Sequence, residues 1–140
     1  MRARLIWDQK MGFLATGDSG HQIKVDVGTE VGGLDAGPRP MELILYGLGG
    51  CTGADVVSIL RKMKIELKDF VIEVTSERAA EHPRKFTKIH LIFRMTGSNI
   101  DYNKALHAIE LSQTKYCPVA ATLNAEITYE LVIDQSSKTD

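Results

Sequence analysis

Cysteine is scarce in this chain: Cys51 and Cys117 are the only two among 140 residues. They stand 66 positions apart, too sparse for a disulfide framework, and read as reduced or reactive thiols of the cytosol. A secretion signal is also missing, since Met1–Trp7 carries Arg2 and Arg4 without an apolar run of useful length. The net charge of −1 leaves no electrostatic footprint for nucleic acid or an anionic membrane. The longest uncharged run is the twelve residues Leu43–Ala54, short of the ~18 that a membrane span requires. His21, His82, His90 and His107 fall in no metal-ligand spacing, so no metal is expected. The glycine-rich stretch Gly28–Pro38 lacks the Gly-Lys-Ser/Thr ending of a phosphate loop, and no G-x-G-x-x-G precedes a helix. It reads as a flexible lead-in, or a lid. Internal repeats are absent. A single domain over residues 1–133 is therefore expected, with a disordered polar tail, Asp134–Asp140. An apolar content of 44% is enough to bury a core without staples.

What is present centres on Arg39–Lys64, with Cys51 at its middle. One reading makes this a single helix. Pro40 suits the first helical position, where its missing N–H costs nothing, and Glu42 in the first turn favours the dipole. Leu43, Ile44, Leu45, Tyr46 and Leu48 are apolar all round, as in a helix buried on every side. Beyond Cys51 the pattern narrows to Ala54, Val57 and Leu60. Such a helix spans roughly 37 Å, longer than a domain of this size needs unless something else covers its far end. The other reading takes Leu43–Leu48 as a strand and Gly49-Gly50-Cys51-Thr52-Gly53 as a nucleophile elbow. That fold needs a large parallel sheet with an acid and then a histidine downstream, and the chain is short for it.

Around this segment the alternation is that of strands. Arg2–Trp7, Met11–Ala15 and His21–Val27, with Thr16–Gly20 as a turn, predict a three-stranded antiparallel meander. Phe70, Ile72 and Val74 alternate with Glu73 and Thr75; Ile89, Leu91, Phe93 and Met95 alternate with Lys88 and Arg94. Two half-buried strands with cross-strand charge pairs follow. By the same parity Arg78 points inward at the sheet's end and needs a partner there. Asp101 caps a second helix with Tyr102, Ala105, Leu106, Ile109 and Ser112 on one face, ending near Tyr116 ahead of Pro118. A last strand places Ile127, Tyr129, Leu131 and Ile133 on its inner face. The fold class is α+β, with antiparallel strands around a buried central helix.

The two thiols differ in surroundings. Cys117 takes the N-cap position of a short helix beginning at Pro118, where unpaired N–H groups and the positive dipole end favour a thiolate. Cys51 lies within a helix without that aid, and Asp55 one turn on raises its pKa unless a cation intervenes.

Pro40-x-Glu42-Leu43 leading to Gly50-Cys51, Ser76-Glu77-Arg78, His82-Pro83-Arg84-Lys85-Phe86-Thr87 and Tyr116-Cys117-Pro118-Val119 together resemble the OsmC/Ohr family of thiol-dependent organic hydroperoxide reductases. The resemblance covers about Arg2 to Ile133. It implies an intertwined homodimer whose sites draw on both subunits, and the all-round apolar helix agrees with that. It further implies that Cys51 is the peroxidatic thiol and Cys117 the resolving one, with an organic hydroperoxide as substrate, an external dithiol as reductant and no cofactor. The alternative is a non-enzymatic redox-sensitive or small-ligand-binding dimer. In the resembling reductases a glutamate ten residues before the first cysteine pairs with an arginine of the N-terminal hairpin. Here that position is Met41, and the carboxylate is Glu42, ~180° around a regular helix from Cys51, as a helix cap would be. The hairpin offers only Lys10 and Lys24, so Arg39, Arg78 or Arg84 is left to supply the cation.

Overall fold

Alternation and turn chemistry in the first third produce the predicted meander. In the computed structural model, which describes residues 1–135, β1 (Ala3–Trp7), β2 (Phe13–Gly17) and β3 (Gln22–Val25) form an antiparallel sheet in that order. Trp7 faces Phe13 across the first pair, and Phe13 faces Val25 across the second. The chain divides into two compact units, Met1–Tyr46 and Gly47–Asp140, and each is described in its own terms.

In the first unit the glycine-rich stretch is hydrogen-bonded to the residue that follows β3. Asp26, at the end of β3, is 1% exposed. Its carboxylate accepts the N–H of Val27 at 2.8 Å, of Ala36 at 3.1 Å and of Leu34 at 3.2 Å. The Asp26 N–H in turn donates to the Pro38 carbonyl at 3.2 Å. These bonds hold the Asp26 pKa below the usual carboxylate value, the Val27 N–H contributing most. Strict alternation over His21–Val27 puts Asp26 on the face of Gln22 and Lys24; its side chain instead organises the loop, a role that period-2 patterning cannot register.

Helix α1 (Pro40–Lys62) starts in the first unit and runs through Gly49–Gly53 without a turn. The nucleophile-elbow reading is thereby excluded. Pro40 is its first residue, and Glu42 Oε1 accepts the Arg39 N–H at 3.0 Å, a capping interaction. Within the single chain, burial of this helix is confined to one column. Only the i, i+4 column Leu48, Thr52, Val56 and Leu60 is buried, Leu43–Leu45 are half-buried, and Tyr46 is 57% exposed. A single layer buries one stripe of a helix, and among the described residues the other faces of α1 are at most partly covered. Taken whole, α1 is long and apolar enough to cross a membrane by length and composition, although the uncharged run alone is not.

The second unit is built on β4 (Asp69–Arg78), β5 (Phe86–Gly97) and β6 (Glu126–Gln135), in that order with β5 central. Ile89, Leu91, Phe93 and Met95 are buried as predicted, and Arg94 Nε donates to Glu73 Oε1 at 2.8 Å. β4 pairs antiparallel to β5, but β6 runs parallel to it, which corrects the expectation of antiparallel strands throughout. The connection between β5 and β6 is a helical crossover, and a parallel pair requires one. It consists of α2 (Tyr102–Leu111), a π-helical turn (Ser112–Tyr116) and α3 (Pro118–Thr122). Asp101 caps α2 through the Lys104 N–H at 3.0 Å. The buried face is Ala105, Ala108, Ile109 and Ser112, whereas Tyr102 is exposed. Asp134 and Gln135 complete β6, and residues 136–140 of the predicted tail lie outside the described residues.

Two details set α1 against this sheet. A Cβ on Gly53 would meet Ile72 Cδ1 at 3.0 Å, and one on Gly49 would meet Val74 Cγ2 at 3.6 Å. Glycine at 53 thus lets the helix approach β4 more closely than a larger residue allows. Arg78 does not point inward: a register shift between Glu77 and Arg78 breaks the parity. Its exposed Nε donates to the Arg84 carbonyl at 2.8 Å.

Candidate functional site

Residues 66 positions apart meet where α1 passes the crossover. Cys51 and Asp55, one turn apart on α1, share a face by the i, i+4 spacing. Cys117 is delivered by the π turn, whose wide winding lets the Cys117 N–H reach the Ser112 carbonyl at 2.8 Å. Such turns often mark functional positions. The predicted N-cap geometry is present: Cys117 has extended backbone angles and its Sγ accepts the Ala120 N–H at 3.4 Å. Cys51 Sγ, Cys117 Sγ and an Asp55 carboxylate oxygen all lie within 4.8 Å of one another. Both cysteines are free thiols, Cys51 half-buried and Cys117 4% exposed. A disulfide therefore needs the sulfurs to close by no more than about 3 Å.

Polar side chains that sequence reasoning did not connect to the thiols surround them. Thr52 Oγ1, fully buried, donates to Cys117 Sγ at 3.4 Å, and Gln113 Nε2 donates to Thr52 Oγ1 at 2.9 Å. Because the Gln113 amide occupies an acceptor position of the hydroxyl, the Thr52 proton is directed to sulfur. Ser112 Oγ donates to Asp55 Oδ2 at 2.8 Å. Thr52 sits next to Cys51 in an otherwise apolar run, and Ser112 lies on the buried face of α2. A polar residue at a core position was the available signal.

The Cys51 pKa is raised. Burial is the largest cause, followed by its hydrogen bond with Cys117; the Val119 N–H lowers it, while charge on Cys117 and then Asp55 raises it further. No cation stands among these groups. Among the described residues no lysine, arginine or histidine pairs with Asp55. The three supporting residues expected from sequence have other partners. The Arg39 guanidinium pairs with Asp35 and donates to the Gly37 carbonyl. Glu42 takes the Arg39 N–H and, at 3.3 Å, the Tyr46 hydroxyl. Arg78 bonds the Arg84 carbonyl.

Comparison with known proteins agrees with this architecture. The chain is 40% identical over 136 residues to the protein YhfA of Escherichia coli K12, covering 94% of this chain and 98% of that one. The crystal structure of a hypothetical protein from Aquifex aeolicus VF5 superposes with a TM-score of 0.79 at 29% identity, covering 95% of this chain and 96% of the other. The organic hydroperoxide resistance protein OhrB of Bacillus subtilis shares the fold, with a TM-score of 0.65 at 17% identity, 94% of this chain and 96% of that one. The model of the family described as OsmC-like protein matches residues 32–132. The two-cysteine site thus stands on a fold common to these proteins, and the chain belongs to the OsmC-like family.

Proposed function

We propose that this chain is a two-cysteine thiol peroxidase that reduces organic hydroperoxides, acting as a homodimer in the cytosol with an external dithiol as reductant. The observation that carries the reading is the meeting of Cys51 and Cys117, with sulfurs within 4.8 Å, from distant parts of the chain. Cys51 is the more accessible residue of the two. Its thiolate attacks the O–O bond, releasing the alcohol and leaving a sulfenic acid. Cys117 condenses with that acid to a disulfide and water, and the dithiol restores both thiols. The directed donors on Cys117, from Thr52 and Ala120, stabilise negative charge on the sulfur that leaves when the disulfide is reduced.

A stoichiometric alkyl hydroperoxide is expected to consume both thiols together and give one intramolecular Cys51–Cys117 bond by mass spectrometry. Cys117→Ser is expected to stop at sulfenic acid on Cys51 and slowly over-oxidise. Cys51→Ser is expected to leave Cys117 largely intact. Survival of both thiols for minutes overturns the proposal. It would favour a redox-sensitive or small-ligand-binding dimer without peroxidase turnover, a reading supported by the raised Cys51 pKa and the absence of a cation among the groups that shift it.

A further inference from the structure

We propose that the reduced thiol pair, together with Asp55, is a binding site for a thiophilic divalent d10 cation of the Zn2+ class. Two sulfurs and one carboxylate oxygen, all within 4.8 Å of one another, are a ligand set that such ions select. Around Zn2+ in tetrahedral geometry, S and O ligands lie about 3.5–3.8 Å apart, so the three atoms need converge by little more than about 1 Å. Two of them share a face of one helix and the third is a helix cap, so the convergence requires no rearrangement of the backbone. Three protein ligands leave a fourth position for water or an incoming ligand, and the half-exposed Cys51 opens that position to solvent.

The surroundings are those of held ligands. Ser112 Oγ fixes the Asp55 carboxylate at 2.8 Å, and Thr52 Oγ1, itself oriented by Gln113, fixes Cys117 Sγ at 3.4 Å. Outer partners of this kind orient ligands and tune affinity. Electrostatics point the same way. With both thiols ionised the cluster carries three negative charges, and among the described residues no cation pairs with its carboxylate. A divalent ion would largely neutralise it. Loading converts two S–H groups into metal-bound thiolates and releases two protons to solvent. While the ion is bound neither sulfur is free to attack a peroxide, a consequence that rests on the peroxidase reading. The binding itself does not.

The test therefore adds no hydroperoxide. Reduced protein, stripped by a chelator and kept from oxygen, is titrated with Cd2+ as the spectroscopic probe. The expected result is one Cd2+ per chain, a sulfur-to-cadmium charge-transfer band in the ultraviolet, and displacement by Zn2+. Asp55→Asn keeps the side-chain shape and removes the ligand charge. It is expected to weaken binding at least about tenfold, with Ser112→Ala weakening it by about tenfold as an outer-shell change. Cys51→Ser is expected to lose the stoichiometric complex. Absence of the band in the reduced wild type, or affinity unchanged in both Asp55→Asn and Ser112→Ala, overturns the site.

Discussion

Leu5, Ile6, Trp7, Phe13 and Ile23 of the first unit's sheet are each 39% to 54% exposed, whereas Ile89, Leu91, Phe93 and Met95 on β5 of the second are at most 1% exposed. Both sheets have three strands, so strand number does not account for the difference. Leu5 and Trp7 occupy one face of β1 and Ile6 the other, so the first sheet exposes apolar side chains on both sides. β5, by contrast, is central and presents an unbroken buried row. A three-stranded sheet that leaves its apolar groups in water is marginal alone, and a clustered exposed patch of this kind marks an interaction surface. The second unit carries its own core, whereas none of the buried apolar side chains belongs to the first. Half-covered Leu43–Leu45 and exposed Tyr46 belong to the same unit, and a second copy of the chain is the covering we propose.

The contrast is broken most sharply from the side of the core. Phe93→Ala removes a ring that is fully buried and stacks on Phe70 with centroids 6.2 Å apart. A loss of about 3–5 kcal/mol in unfolding free energy is expected from denaturant titration. Leu5→Ala, in a half-exposed position, should cost under about 1 kcal/mol when the protein is monomeric. Equal losses at the two sites would dissolve the distinction between the units.

Charge placed on the first sheet should act on association rather than on folding. Ile6→Glu is expected to weaken self-association by at least about thirtyfold, as loss of a buried interface anchor does, while leaving the melting of the second unit nearly unchanged. Sedimentation at micromolar concentration checks both this variant and the parent. A monomeric parent would remove the homodimer from the account altogether.

How far the fold could be read beforehand follows the range of the interactions involved. The α1 start at Pro40, its Glu42 cap, the Asp101 cap of α2 and the N-cap role of Cys117 each depend on a few neighbouring residues. All four are present. The direction of β6, the inward turn of Asp26 and the outward one of Arg78 depend on which strand lies alongside, or on one irregular residue, and alternation is silent about both. At the site, the elements of Cys51 and Cys117 were legible, since each cysteine lies in a recognisable local setting. The chain of hydrogen bonds from Gln113 through Thr52 to Cys117 was not, because it joins positions 61 and 65 apart in sequence. Tyr102 matched the helical period of α2 yet lies beyond the covered part of the face.

A smaller effect tests how the first unit keeps its order without a core of its own. Asp26→Asn removes the charge that accepts the Val27, Leu34 and Ala36 N–H groups. Hydrogen exchange at Leu34 and Ala36 should accelerate several-fold, on the order of ten, with β5 amides unaffected. The sign with pH follows from the lowered Asp26 pKa. The loop's protection is fully present above the ordinary aspartate value of 3.8 and is lost as pH falls through the depressed one. Protection that instead fades while pH is still well above 3.8 would show that another group holds the loop.

The smallest expected effect lies inside the second unit, where the burial that stabilises it works against its chemistry. Burial is the largest cause of the raised Cys51 pKa, and Asp55 adds the least of the groups acting on it. At neutral pH Cys51 is therefore predominantly a thiol, and its alkylation by iodoacetamide should accelerate as pH rises through and beyond the ordinary thiol range. Asp55→Asn removes one negative charge while leaving burial and the Cys117 hydrogen bond in place. The thiolate is then disfavoured less, and the midpoint of the pH–rate profile should move down. At neutral pH Cys51 alkylation, followed by peptide mass spectrometry, should quicken by about two- to fivefold, as expected for loss of one of several contributing charges. Cys117 serves as the internal reference in the same digest. A midpoint that stays fixed or moves up in Asp55→Asn would mean that the carboxylate acts on Cys51 through structure, as a partner of Ser112, and not through its charge.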